Sequence, residues 1–420
     1  MTSTAAPSTL AAGPDVQRRI LKVLVASQVL SGAGLAAGIT VGALLAQDML
    51  GTTGLAGLPS ALFTAGSALA AIGVGRISQA RGRRPGLAAG YLTGAVGSAG
   101  VLAAAGLGSP VLLFIALFVY GAGTATNLQA RYAGADLAAP THRARAVSTV
   151  LVATTLGGVV GPNLAAPTGD LAAALGIPRL AGPFLLAGAA YAAAAVVLAL
   201  WLRPDPLLLA RTLAEAEQDP TVPPAQARPA VEGAPAKPRG GVVLGALVMI
   251  LTQLVMVAVM TMTPLHMHDH GHGTAASGLV IAIHVGAMYL PSPLTGRLVD
   301  RYGRIALAAA SGVTLLVAGL VAAVAPGDSI ALLALALALL GLGWNFGLVS
   351  GTAIITDAVP LATRAKTQGM VDVSIAIAGA TGGLASGIVV DLAGYPVLAL
   401  TGGVLALAVL PAIAVTAHSR

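Results

Sequence analysis

Apolar runs of about 20 residues recur along the whole chain and are separated by shorter segments rich in glycine, proline and charge. A helix of that length crosses a hydrocarbon core ~30 Å thick, because it rises about 1.5 Å per residue. Lipid offers no partners to backbone polar groups, so the pattern predicts an all-α membrane protein with 12 transmembrane helices. The predicted spans cover residues 21–46, 55–75, 86–106, 110–130, 146–166, 182–202, 241–263, 277–296, 305–325, 330–355, 367–390 and 396–416.

The longest polar interval separates the sixth span from the seventh. Residues 203–240 contain PDP, DPTVPP and GAPAKPRG, and this density of proline and charge excludes a membrane span. An extended, mobile connector is expected there. The predicted organisation is an N-terminal six-helix bundle (1–202), a cytoplasmic linker (203–240) and a C-terminal six-helix bundle (241–420).

Composition and charge agree with a bilayer as solvent. Hydrophobic residues make up 56% of the chain, charged residues 9%, and the mean hydropathy is +0.88. If the N-terminus and every even-numbered loop are cytoplasmic, 21 of the 22 Lys and Arg lie on the cytoplasmic side, and only Arg179 lies outside. This asymmetry predicts a multi-pass protein of the cytoplasmic (inner) membrane with both termini in the cytoplasm. The net charge of +7 therefore reflects topology, and no nucleic-acid partner is expected.

Two basic loops repeat between the halves. GRISQARGRR (75–84) follows the second span, and GRLVDRYGR (296–304) follows the eighth. Both resemble the G-x-x-x-D-R-x-G-R signature of the major facilitator superfamily of secondary transporters. The resemblance implies two six-helix bundles that rock about a midplane site, with a cytoplasmic gate braced by these loops. Gln79 stands where the family has Asp, so a charge-based lock in the first half is not expected. The implied gate residues are Gly75, Arg76, Arg81, Gly82, Arg83, Gly296, Asp300, Arg301, Gly303 and Arg304.

Two further segments bear on the kind of transport. Many proton-coupled drug exporters of the superfamily carry an Arg in the fourth span where this chain has Leu117. The fifth span reads LGGVVGPNL (156–164), which resembles the Gly-Pro pattern of antiporters but is equally explained by close helix packing. The chain has no nucleotide-binding G-x-x-x-x-G-K-[ST] motif, so neither ATP-driven transport nor enzymatic activity is expected.

Methionine and histidine concentrate between residues 249 and 288, which hold six of the nine Met and five of the seven His. With no Cys in the chain, thioether and imidazole are its only soft or borderline metal ligands, and they suit Cu(I) best. Met256 and Met260 lie one helical turn apart on span 7, and His284 and Met288 do so on span 8. At about 1.5 Å per residue, these four side chains lie at alternating depths on the two spans, from about 6 to about 16 Å below the outer ends of the helices. If the two faces meet, a cation could pass from site to site.

The same pairs resemble the Met-x-x-x-Met and His-x-x-x-Met motifs of CcoA-like copper importers within the superfamily. That resemblance implies copper uptake, with copper as the transported substrate, no cofactor, and a periplasmic or cytoplasmic copper chaperone as a possible partner. A monomer is expected. The ligands that the resemblance implies are Met256, Met260, His284 and Met288. Helical spacing adds Met249 on the same face of span 7, and the segment between the two spans is expected to be a collecting loop with His266, Met267, His268, His270 and His272.

Three alternatives stay open. Met at helical spacing also serves as packing, and the loop His could be merely solvated. Relatives in the broader group move riboflavin, so a proton-coupled exporter or importer of a drug or riboflavin-like molecule is the second hypothesis. A metal-sensing receptor is the third, but residues 203–240 are too short for a regulatory domain.

Few charged residues lie inside the spans, and Asp372 on span 11 is the main one. It is a candidate for proton coupling or for a late cation site. The competing expectation is an ion pair with Lys366 or Arg364 at the same helix end.

Overall fold

The computed structural model describes residues 14–50, 58–217 and 238–418. These residues form 16 α-helices and two short 3-10 helices, at Pro140–His142 and Arg179–Ala181, and no strand is found among them. The α-helices are α1 Pro14–Leu50, α2 Leu58–Arg81, α3 Arg83–Leu107, α4 Pro110–Ala135, α5 Arg143–Asn163, α6 Ala165–Ala174, α7 Gly182–Trp201, α8 Pro206–Glu217, α9 Pro238–Asp269, α10 Thr274–Tyr289, α11 Ser292–Tyr302, α12 Arg304–Val324, α13 Ile330–Ala358, α14 Arg364–Ala393, α15 Tyr395–Ala406 and α16 Val409–His418.

The predicted spans correspond to these helices, apart from residues 55–57, which lie outside the described ranges. Ten helical segments of the described chain are long and apolar enough to cross a membrane. The other two predicted spans lie on α1 and on α5 with α6. The all-α membrane fold is therefore confirmed.

Three spans are broken rather than continuous. Span 8 divides into α10 and α11 at Pro291, and span 12 divides into α15 and α16 shortly before Pro411. Proline has no N–H to donate to the preceding turn, which explains why the helices restart there. Span 5 divides into α5 and α6 next to Leu164, just after the Gly-Pro pattern.

Residues 206–217 of the predicted connector are helical, so an extended structure is the wrong prediction for them. The segment PLLLARTLAEAE is rich in strong helix formers. Asp205 caps the helix, because its Oδ1 accepts hydrogen bonds from the backbone N–H groups of Leu207 and Leu208, at 3.0 and 3.2 Å. Pro206 occupies the first helical turn, where no donor is needed. Residues 218–237 lie outside the described ranges.

Each half of the bundle is built around its own apolar core. One core runs from Ile20 on α1 to Leu202 after α7, and the other from Met249 on α9 to Ala406 on α15. The second core also takes in Ala144, Val147 and Leu151 of α5, so α5 packs across the boundary between the halves.

The halves approach closely at the end of the bundle that carries most of the arginines, called the basic end below. There α2 meets α14 and α5 meets α11. A Cβ atom on Gly75 would lie 3.2 Å from the Cα of Gly369, and a Cβ on Gly296 would lie 2.6 Å from the hydroxyl of Ser148. The first glycine of each motif copy therefore lets two backbones approach, as small residues do at helix interfaces in membranes.

A side chain at Gly75 should force α2 and α14 apart. We expect Gly75→Val to lower the apparent unfolding temperature in detergent, because overpacking a close contact costs about 1–3 kcal/mol. Gly73→Val is the matched control, since a Cβ there meets nothing within 4 Å. Equal destabilisation by both substitutions would contradict the close contact.

Candidate functional site: an interface between the halves

Asp300 joins the halves by capping a helix of the opposite half. Its carboxylate accepts hydrogen bonds from the backbone N–H groups of Ala144 and Arg145, at 3.2 and 3.1 Å. These residues begin α5, where N–H groups have no acceptor within their own helix and the helix dipole favours a negative charge. The Arg145 side chain approaches the same carboxylate at 3.8 Å.

Gln79, in the other motif copy, likewise caps a helix of the opposite half. Its Oε1 accepts from the backbone N–H groups of Ala365 and Lys366 at the start of α14, at 2.8 and 3.3 Å. Its Nε2 donates to the carbonyls of Leu361 and Ala362, at 3.3 and 2.6 Å. A neutral carboxamide thus replaces the charged lock, because it can accept and donate at once whereas a carboxylate only accepts.

The other motif residues divide into buried and exposed groups. Arg83 is fully buried; its Nε lies 2.7 Å from Asp136 and its Nη2 lies 2.5 Å from Gln368 of the opposite half. Arg304 donates to the carbonyl of Pro140 at 2.8 Å. Gly82 and Gly303 have φ of +98° and +94°, which favours glycine. Arg76, Arg81 and Arg301 are exposed.

Asp357 at the end of α13 forms ion pairs with arginines of both halves. It forms an ion pair with Arg143 on α5 and another with Arg304, the latter at 2.6 Å. The basic end is therefore closed by two helix caps, this shared carboxylate and the buried Arg83.

Asp372 lies one layer deeper, and its partner differs from both predicted ones. The carboxylate pairs with Arg131 of α4 at 2.7 Å, and both side chains are buried. Lys366 is exposed, and Arg364 lies 3.9 Å from Asp136. Lys366 precedes Asp372 by six residues and lies on another face of the helix. Arg364 precedes it by eight residues and lies about two turns away, so neither is next to the carboxylate. The second oxygen of Asp372, Oδ2, has no hydrogen-bond partner among the described residues.

Arg131 also bonds to a second helix of the opposite half. Its Nε donates to the hydroxyl of Thr352 on α13 at 3.0 Å, and its Nη2 donates to the hydroxyl of Tyr132 at 3.0 Å. The guanidinium also lies 4.2 Å from the centre of the Tyr132 ring, a cation–π distance.

An aromatic pair joins α13 to α10. Trp344 on α13 and Tyr289 on α10 stack edge to face, with ring centres 5.7 Å apart at 72°. The indole Nε1 of Trp344 donates to Oε1 of Gln253 on α9 at 2.7 Å. Thr352, which accepts from Arg131, follows Trp344 by eight residues on α13, about two turns along the same helix. Three helices of the second half thus place an aromatic pair and an amide side by side, and α13 connects them to the ion pair.

The sequence analysis missed both the aromatic pair and Gln253. A signal was present, because Trp344 is one of two Trp in the chain and stands in the middle of an apolar span. Its partner Tyr289 is 55 residues away, at the end of α10, and no local pattern joins the two.

The predicted copper ligands of spans 7 and 8 lie on α9 and α10. Met249, Met256 and Met288 are buried, and Met260 is half-buried. α9 and α10 each pack along α13 and make few contacts with each other. Met249 lies against Gly351, where a Cβ would come 2.9 Å from its sulfur, so this Met fills a notch in α13.

His284 has an environment that packing alone does not account for. The ring is fully buried, and its Nδ1 lies 2.8 Å from the carbonyl of Leu337. Its other nitrogen, Nε2, has no hydrogen-bond partner in the described part of the chain.

The predicted collecting loop is mostly helix. α9 continues through Pro264 to Asp269, so His266, Met267 and His268 lie on its last turn, with Met267 buried. His266 stacks on Tyr395 with ring centres 4.3 Å apart, and its ring centre is 4.3 Å from that of His270. His272 contacts the carbonyl of Gly327 through Nε2 at 2.9 Å. Within residues 14–50, 58–217 and 238–418, no three His, Asp or Glu side chains are grouped to hold a metal ion.

Two helical bundles that cap each other's helices at one end, around a polar central layer, define a secondary membrane transporter. The chain belongs to the Major Facilitator Superfamily, whose sequence model matches residues 23–346 and 245–419. It is 56% identical over 399 residues to the uncharacterized MFS-type transporter YdeG of Bacillus subtilis (strain 168), covering 95% of this chain and 92% of the relative.

Two further similarities concern a named transporter and a solved structure. The riboflavin transporter RfnT of Brucella anthropi is 31% identical over 359 residues, covering 84% of this chain and 85% of the relative. The crystal structure of the human organic anion transporter MFSD10 (TETRAN) superposes with a TM-score of 0.75 at 17% identity, covering 94% and 99% of the two chains. The structural likeness shows the shared fold.

Removing one member of the buried pair should cost more than removing both. We expect Arg131→Leu and Asp372→Leu each to lower the free energy of unfolding by about 3–5 kcal/mol, because each leaves an uncompensated buried charge. The double substitution should recover much of that loss. Denaturant titration of the purified protein measures it, and fully additive effects would contradict a direct pair.

Proposed function

We propose that the protein is a proton-coupled carrier of a small planar organic molecule of the flavin type. The observation that carries this proposal is the aromatic pair of Trp344 and Tyr289, with Gln253 beside it and, about two turns along α13, the ion pair between Arg131 of the first half and Asp372 of the second. Cargo bound at this level would contact both halves, as alternating access requires.

The chemistry of these side chains suits such a molecule. An aromatic ring offers a face to planar heterocycles, and stacked or edge-to-face pairs contribute about 0.5–1.5 kcal/mol beyond area burial. Amide and guanidinium groups donate hydrogen bonds to the carbonyl oxygens along a flavin ring. The similarity to a protein named as a riboflavin transporter supports the same class of cargo.

The proposed orientation places the basic end in the cytoplasm of a cell whose inner membrane holds the protein. The support is the distribution of Lys and Arg, which lie almost entirely on one side of the predicted spans. Both termini are then cytoplasmic, and the interface of Gln79 and Asp300 becomes the cytoplasmic gate, closed in this structure.

Asp372 is the proposed proton site. Its carboxylate is buried, joins α14 to α4 through Arg131, and keeps one oxygen free of partners among the described residues. A proton on that oxygen would neutralise the carboxylate and weaken the ion pair, while Thr352 and Tyr132 continue to hold Arg131. Proton binding would thereby loosen one link between the halves.

Copper uptake is the second candidate, because of His284. A His that uses Nδ1 for a backbone carbonyl is oriented to offer Nε2 to a metal, the usual arrangement of metal-ligating imidazoles. Met288 follows one turn later on α10, and Met256 and Met260 lie on α9. Copper as substrate, its chaperone partner and the monomeric state stay predictions.

Transport by purified protein in liposomes distinguishes the two cargoes. With an inward proton gradient, we expect wild type to move radiolabelled riboflavin and Trp344→Leu to lose about 2- to 10-fold of the rate, because loss of the stacking face removes about 0.5–1.5 kcal/mol. Trp201→Leu is the matched control, since Trp201 is exposed at the end of α7. Unchanged riboflavin transport by Trp344→Leu would contradict the site.

The copper hypothesis predicts a different set of effects in the same liposomes. Copper flux should fall with His284→Ala and with the double substitution Met256→Ala and Met260→Ala, and riboflavin flux should not. Wild-type copper flux equal to that of empty liposomes would exclude copper.

The coupling role of Asp372 has its own readout. We expect Asp372→Asn to abolish the acceleration of riboflavin uptake by a proton gradient, because an amide cannot take up the proton. Exchange of riboflavin between two equal pools, which needs no gradient, should persist. Gradient-driven uptake that survives in Asp372→Asn would place the proton site elsewhere.

A further inference from the structure

The break in span 8 lies next to the aromatic pair. Pro291 separates α10 from α11, and α10 closes with the hydrogen bond from the N–H of Leu290 to the carbonyl of Gly286. Tyr289 is the last residue of α10. Carbonyls in the last turn of a helix lack donors inside that helix, and within a membrane they need partners from neighbouring helices. The position of Tyr289 therefore depends on what holds this turn.

Asn345 of α13 holds the turn from both sides of the break. Its Nδ2 donates to the carbonyl of Met288 in α10 and to the hydroxyl of Ser292 in α11, both at 2.7 Å. Its Oδ1 accepts from the hydroxyl of Thr295, also in α11, at 2.6 Å. The amide is fully buried, and both its donating and its accepting end have partners. Those partners flank Pro291, so one side chain fixes α10 relative to α11.

α13 approaches α10 closely along the face that carries Asn345. Leu337, Gly341 and Asn345 follow one another at intervals of four residues and lie on one side of α13. The carbonyl of Leu337 lies 2.8 Å from Nδ1 of His284. A Cβ on Gly341 would lie 2.5 Å from the carbonyl oxygen of His284 and 3.1 Å from the backbone nitrogen of Met288. The two backbones touch here, and a buried Asn between packed helices favours a single register.

The register that Asn345 favours is the one that brings the two rings together. Trp344 directly precedes Asn345, and Tyr289 directly follows Met288. The 2.7 Å bond between Asn345 and Met288 therefore lies beside the ring contact, whose centres are 5.7 Å apart. Gln253 holds Trp344 from α9, and Asn345 supplies the corresponding constraint on Tyr289.

We propose that Asn345 is a positioning residue for the cargo site, which fixes the break in span 8 and so holds Tyr289 against Trp344. Its amide is occupied by protein partners, so it acts through the two rings and not by contact with cargo. The inference rests on the proposed function, because the rings are the surface that would receive the cargo. The position of the rings can nevertheless be measured without any cargo.

Fluorescence of Trp344 tests the positioning role. The chain has two Trp, so Trp344 is the only source of indole emission in a Trp201→Phe background. Trp344 is 4% exposed. We expect Asn345→Leu to shift its emission to longer wavelength in the purified protein without cargo, because release of α10 uncovers the indole to water. The affinity for riboflavin, measured by quenching of the same emission, should fall by about 3- to 10-fold, the loss of one hydrogen bond.

A second substitution and a matched control accompany this variant. Asn345→Asp keeps the size of the side chain and the acceptor for Thr295, replaces the donating Nδ2 by oxygen, and should shift the emission in the same direction. Ser311→Ala is the control, because the buried Ser311 hydroxyl of α12 donates to the carbonyl of Gly343 at 2.8 Å. This control removes a bond to α13 without involving α10, and should change neither emission nor affinity.

The possible outcomes separate the positioning role from the cargo. Unchanged emission in the Asn345 variants overturns the positioning role, and so does an equal shift in Ser311→Ala, which would indicate general loosening of the bundle. If the emission shifts as expected but riboflavin does not quench the wild type, Asn345 still positions the rings and the proposed cargo is wrong.

Discussion

The closed interface depends on the unsatisfied N–H groups at helix N-termini. The first residues of a helix have donors without acceptors inside that helix, and burying such donors unpaired costs about 1–3 kcal/mol each. At the basic end the start of α5 receives its acceptor from Asp300, and the start of α14 from Gln79. Each bundle therefore supplies acceptors to helices of the other while the interface is closed.

The two copies of the motif meet the same need with different chemistry. Asp300 adds a charge that the dipole of α5 attracts, so this contact should weaken as salt rises. Gln79 carries no charge and gains by donating to the two carbonyls that precede α14, which a carboxylate in the same place would repel. Gln79 departs from the family signature, but its uncharged side chain still joins the two halves through hydrogen bonds.

The features that could be predicted from the sequence are those with a local cause. Span length predicted twelve spans, and ten helical segments of the described chain are long and apolar enough to cross a membrane. The repeated motif singled out Gly75 and Gly296, which lie at close contacts between the halves. The missed features are contacts between distant residues. Asp372 and Arg131 are 241 residues apart, and Gln79 meets Ala365 across 286. A loop is the wrong prediction for His266 and His268, because α9 continues past the predicted end of span 7, through Pro264, to Asp269. The copper ligands were inferred from a resemblance in two short motifs. Neither motif predicts that α9 and α10 both pack against α13.

Asp205 has a mechanical consequence for the transport cycle. Its two carboxylate oxygens accept hydrogen bonds from backbone N–H groups at the starts of α8 and α3, so α8 is held to the first half through α3. Arg211 on α8 donates to the carbonyl of Gln79 in its own half at 3.0 Å and to the carbonyl of Leu361 in the opposite half at 3.4 Å. Only the second of these bonds crosses the interface, so it is the one that separation of the bundles breaks.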